Sequence, residues 1–154
     1  MLDRIFATDK RVEPTWPVST DPLGREVHRF NGKWASLEYM IEGDPELRPL
    51  VILQSLDVSC WPTVHFCQMA QAAGFRVISV RRPGFGGNPS LTDKAGQCEL
   101  VRDFLARMEL EDVVLTGTGS SNGICARVTL SGETRIAFTV FANCGFNYDQ
   151  LGEL

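Results

Sequence analysis

Glu111-Asp112-Val113-Val114-Leu115-Thr116-Gly117-Thr118-Gly119-Ser120-Ser121-Asn122-Gly123 begins as a short apolar run and ends as a glycine-rich loop. An apolar run of that length, closed by turn residues, is expected of a strand buried on both faces. Ile124 to Leu130 follows and reads as a helix. The whole stretch is therefore a strand, a tight turn and a helix, the repeating step of α/β layouts.

The same step recurs on the N-terminal side. Pro49-Leu50-Val51-Ile52-Leu53 is a second continuous apolar run, and Val64 to Ala73 reads as a helix closed by Gly74. Glycine just past a helix end is the usual left-handed terminator. Phe75 to Val80 is the next strand, followed by Pro83-Gly84-Phe85-Gly86-Gly87. From about Ala95 to Glu109, Leu100, Val101, Phe104, Leu105 and Met108 fall on one helical stripe. Beyond the quoted stretch, Arg135 to Ala142 reads as a last strand.

Two β-elements lead the chain, Glu26 to Phe30 and Ala35 to Ile41, with Asn31-Gly32 between them as a hairpin signal. Met1 to Leu23 holds Pro14, Pro17 and Pro22 and shows no sustained periodicity. The expected organisation is an irregular arm over 1–24 and one α/β domain over 25–154. Its sheet is mostly parallel and flanked by helices on both faces. Ligands of such sheets sit beyond the carboxyl ends of the strands. That places the loops at Gln54, Arg81 and Gly117 on one rim.

Composition narrows the function classes. The 154 residues are 44% hydrophobic and 22% charged, ordinary for a soluble globular chain. A net charge of -4 offers no basic field for phosphates, so no nucleic-acid partner is expected. The N-terminus lacks an apolar signal core, and no apolar run approaches the roughly 18 residues that span a bilayer. No membrane association is expected. The five cysteines, Cys60, Cys67, Cys98, Cys125 and Cys144, form no C-x-x-C pair. They read as reduced buried thiols of a cytoplasmic protein, with no metal site or cofactor implied.

Three segments carry a resemblance to the α/β-hydrolase family. Val51-Ile52-Leu53-Gln54-Ser55 with Trp61 resembles the apolar strand that in the family precedes a His-Gly pair. Arg76-Val77-Ile78-Ser79-Val80-Arg81-Arg82-Pro83-Gly84-Phe85-Gly86 resembles the strand and its Asp-Arg-Pro-Gly-Phe-Gly loop. Glu111 to Gly117 resembles the strand leading to the nucleophile elbow. The likeness runs from about Glu26 to Cys144 and implies the family's N-terminal half, incomplete at the C-terminal end. Each segment departs from the pattern. Gln54-Ser55 replaces His-Gly, and Arg81 stands in place of the aspartate.

The elbow motif G-x-S-x-G exposes a serine on a strained strand-to-helix turn. Gly119-Ser120-Ser121-Asn122-Gly123 fits it literally, with Ser121 as the nucleophile. The ungapped register from Asp112 instead puts Gly119, which has no side chain, at that position. The family order is nucleophile, acid, histidine. Only His28 and His65 exist, and both precede the elbow. Asp149 and Glu153 follow it in a short polar tail. A serine without a base is a weak nucleophile. The resemblance therefore implies a pseudoenzyme, truncated and without a competent triad. The alternative is a serine hydrolase using Ser121 with acid and base from outside the chain. What the family's architecture leaves is a small-molecule pocket at the rim. Backbone N–H groups near Leu56 and Ser120 would serve as donors, with Gln54 and Arg81 beside them.

Thr118-Gly119-Ser120-Ser121-Asn122-Gly123-Ile124 also resembles the T-G-x-x-x-G-I-G turn of short-chain dehydrogenases, a dinucleotide-binding family. A final expectation concerns the last strand. Phe138, Val140 and Phe141 would lie on an open sheet edge, which favours self-association.

Overall fold

The computed structural model describes residues 17–33, 35–55, 61–83 and 93–143. Seven strands form one sheet: β1 (Pro17–Thr20), β2 (Glu26–Asn31), β3 (Ser36–Glu42), β4 (Arg48–Leu53), β5 (Phe75–Arg81), β6 (Val113–Thr118) and β7 (Ile136–Ala142). Their spatial order is β1-β2-β3-β5-β4-β6-β7. The first three pair antiparallel, β3 meets β5 antiparallel, and β5, β4, β6 and β7 run parallel. Three helices connect the parallel strands: α1 (Val64–Ala72), α2 (Lys94–Arg107) and α3 (Asn122–Leu130).

The expected elements are present, with β1 as an addition. Residues 17–20 fall inside the stretch read as an irregular arm, yet they pair with β2 at the sheet's rim. Proline is tolerated there because an edge strand needs hydrogen bonds on one side only. The hairpin also differs. Asn31 pairs with Ser36, so residues 32–35 form the loop and the Gly32 N–H donates to the Ala35 carbonyl at 3.0 Å.

Period-two alternation along the strands splits the core in two. On one face, Ile52 and Val77 pack with Cys67 and Ala70 of α1. On the other, Val51, Leu53, Ile78, Val80, Val113 and Leu115 pack under α2 and α3. Phe104 of α2 stands edge-on to both Phe30 and Tyr39, with ring centroids 5.2 Å apart in each pair. Side-chain caps start two of the helices. Thr63 Oγ1 accepts the Phe66 N–H, and Asp93 accepts those of Ala95 and Gly96. Among the described residues no helix is long and apolar enough to cross a membrane.

Glu133, in the turn between α3 and β7, is buried but ion-paired. Its carboxylate accepts from Arg135 Nη1 at 2.7 Å, from the Arg135 N–H at 3.2 Å and from Arg102 Nε of α2 at 3.3 Å. Burial alone would raise this carboxyl, but the bonds from Arg135 and Arg102 outweigh it and hold it below the usual range. A carboxylate depressed in the folded state stabilises above its unfolded value of about 4.3 and loses that contribution as pH falls through the folded value. Glu133→Gln should lower stability at pH 7 by about 2 kcal/mol, given hydrogen bonds to a charged group. The gap between wild type and variant should narrow in acid. Thermal melts from pH 7 to pH 3 check this, and a gap that persists at pH 3 would count against it.

Candidate functional site

The carboxyl ends of β4, β5 and β6 converge at one rim, and the turn after β6 is its centre. β6 ends at Thr118, a 3-10 turn spans Gly119–Ser121, and α3 starts at Asn122. Gly119 has φ of +53°, the left-handed region that side chains rarely enter. Two residues earlier, Gly117 lets the helix close on the strand. A Cβ there would lie 2.9 Å from the Asn122 nitrogen, the Cys125 sulfur and the Ser121 carbonyl carbon.

Ser121 is fully buried, and its hydroxyl donates to the Gln54 carbonyl at the end of β4. That bond ties the turn after β6 to its neighbouring strand and leaves the hydroxyl no opening to the rim. Ser120 is exposed instead. Its Oγ lies 3.3 Å from Ser55 Oγ, while the Ser55 N–H donates to Thr118 Oγ1 at 3.1 Å. Sequence reasoning had no role for Asn122. Its Nδ2 donates to the carbonyls of Gly119 and Ala142, both at 3.0 Å, which fastens the turn to β7. Its position at the head of α3 was the available signal, since asparagine there has backbone carbonyls within reach.

The two arginines after β5 separate. Arg81 lies over the Trp61 ring at 4.0 Å and pairs with buried Glu38 at 3.4 Å, and Glu38 also meets Arg29 at 3.4 Å. It is thus engaged in a charge network on the α1 face of the sheet. Arg82 is buried on the α2–α3 face, and its Nη1 donates to the Ser120 carbonyl at 3.3 Å. Burial pushes the Arg82 guanidinium below the ordinary arginine range. Gln54 turns inward, its Nε2 donating to Ser79 Oγ at 2.9 Å. Leu56, expected as a backbone donor, lies outside the described residues, as do Asp149 and Glu153.

Neither histidine joins this group. His28 stacks on Tyr39 with centroids 5.4 Å apart and lies 3.6 Å from Glu26. Its strand, β2, is four places from β6 in the sheet order, roughly 19 Å at normal strand spacing. His65 is exposed, on the side of α1 away from buried Cys67 and Ala70. Among the described residues, the rim holds hydroxyls, amides, the buried Arg82 guanidinium and the Arg81 guanidinium held by Trp61 and Glu38.

Solved structures share this fold. A bromoperoxidase from Bacillus anthracis superposes with a TM-score of 0.61 at 24% identity, over 70% of this chain and 40% of that one. An epoxide hydrolase from Vigna radiata gives 0.68 at 11%, over 82% and 43%. An esterase from Exiguobacterium antarcticum gives 0.65 at 18%, over 74% and 44%. The chain has the α/β-hydrolase fold. It spans about two-fifths of the length of these three proteins. No family model and no curated protein matches it. The α/β-hydrolase fold replaces the dinucleotide-binding reading of the loop. In that reading the glycine motif follows the opening strand, whereas here it follows the sixth strand of a mixed sheet.

Proposed function

We propose that this chain is a non-catalytic α/β-hydrolase-fold protein, without a working Ser-acid-His triad of its own, that binds a small ligand at the elbow rim. One observation carries the reading. The left-handed residue of the elbow is Gly119, and the serine that fits the motif, Ser121, is sealed beneath the turn. A nucleophile must present its lone pair to substrate and have a base within hydrogen-bond reach. Ser121 spends its proton on a backbone carbonyl. Ser120 and Ser55 have no imidazole near them among the described residues. The polar character of the rim suits binding rather than attack, with Ser55 Oγ 3.3 Å from Ser120 Oγ and the Ser55 N–H on Thr118 Oγ1.

Acid and base, on this reading, are not supplied by these 154 residues. The chain's coverage of about two-fifths of three hydrolase-fold proteins agrees with a partial domain. A cytoplasmic setting is part of the proposal, supported by free buried thiols at Cys67, Cys98 and Cys125.

A fluorophosphonate probe tests the proposal. No covalent labelling of wild type is expected by intact-mass analysis. Labelling that vanishes in Ser121→Ala would overturn it in favour of a serine hydrolase completed from outside the chain.

A further inference from the structure

Arg82 carries a positive charge into the interior, one residue past the end of β5, where it is only 5% exposed. Its hydrogen bond runs from Nη1 to the Ser120 carbonyl at 3.3 Å, and Nε has no partner. Among the described residues no carboxylate pairs with it. The titratable group that faces it is Cys125, whose thiol burial pushes up to about 12, so that it stays neutral. The head of α3 adds charge of the same sign. Its first turn holds no acidic residue and no capping side chain, so the positive end of the helix dipole is also uncompensated. Ser120, which accepts the Arg82 bond, lies just ahead of that end. A buried charge without a counter-charge is costly, and native interiors pair such groups.

A cavity of about 10 Å³ adjoins Arg82, walled by Leu53, Val80, Leu100, Val101 and Ile124, with Gln97 as its other polar residue. That is room for one particle of about water's size. We propose that a halide ion, chloride in ordinary solution, occupies this space and pairs with the Arg82 guanidinium beneath the elbow. Nη1 is engaged by Ser120, so the ion meets the opposite edge, where Nε–H and Nη2–H lie parallel. Size selects the ion. Chloride is a sphere only slightly larger than water, whereas phosphate, sulfate and carboxylates carry several oxygens and do not fit. A water molecule would fill the space but leave the charge uncompensated, and its own hydrogens would face aliphatic walls. The site lies on the α2–α3 side of the sheet, so it stands or falls independently of a ligand at the rim.

Chlorine NMR of the 154-residue chain, titrated from about 1 mM to about 100 mM sodium chloride, tests this. The wild-type chain should broaden the chloride line beyond buffer alone, and added bromide should reverse the broadening by displacement. Arg82→Met should lose the excess width, while Arg107→Gln, which removes an exposed charge, should keep it. A second readout needs no variant, in case Arg82→Met does not fold. Crystals of the wild-type chain grown in sodium bromide should show an anomalous scattering peak beside Arg82 Nε. No excess width in wild type, width that bromide leaves unchanged, a folded Arg82→Met chain that retains it, or bromide peaks at surface positions only would each overturn the proposal.

Discussion

Gly117→Ala should destabilise the protein by about 3 kcal/mol, the upper end of what one added methyl costs in a packed interior. The reason lies in what the methyl meets. Two of the three atoms 2.9 Å from its position, the Asn122 nitrogen and the Ser121 carbonyl carbon, are backbone. They cannot rotate away as the tip of a side chain would. α3 would have to lift from β6, loosening Ser121 from Gln54 and Asn122 from Ala142. For a chain of this size the melting temperature should fall by roughly 6–12 °C. Gly123→Ala is the contrast. No atom lies within 4 Å of its added methyl, and alanine favours a helix over glycine by about 1 kcal/mol. Differential scanning calorimetry of both variants checks the pair. Equal losses would show that the elbow has slack that its geometry denies.

Phe104→Ala should cost more, about 3–5 kcal/mol. Its ring is 1% exposed and is shared by α2, β2 and β3 through the Phe30 and Tyr39 contacts. Removing it leaves a cavity bounded by a helix and two strands of a hydrogen-bonded sheet, which collapse poorly. Urea unfolding should show a lower midpoint with little change in slope. A loss under about 1 kcal/mol would mean that the core refills the space.

Most of the fold was legible because both periodicities are strong. The parallel strands are unbroken apolar runs, and α2 carries a clear stripe ending in Phe104, Leu105 and Met108. β1 was hidden because Pro17 and the short length are turn signals, and only its partner β2 makes it a strand. The site was less legible. Sequence named Arg81 as the binding arginine of the rim, but adjacent residues of a strand face opposite sides. That alternation sends Arg81 to Trp61 and Glu38 and leaves Arg82 beneath the elbow. Likewise, the pattern G-x-S-x-G is satisfied by spelling alone. It does not say which residue takes the left-handed turn, and that depends on where β6 stops pairing with β4 and β7.

The packing around α3 also gives the molecule a chemical clock. Cys125 is wholly buried, and burial pushes its thiol up to about 12. At neutral pH the reactive thiolate is therefore scarce, and the closed fold keeps reagents away from it. Burial raises the thiols of Cys67 and Cys98 as well. Alkylation of Cys125 therefore waits for α3 to leave the sheet. Its rate under native conditions reports how often the elbow opens.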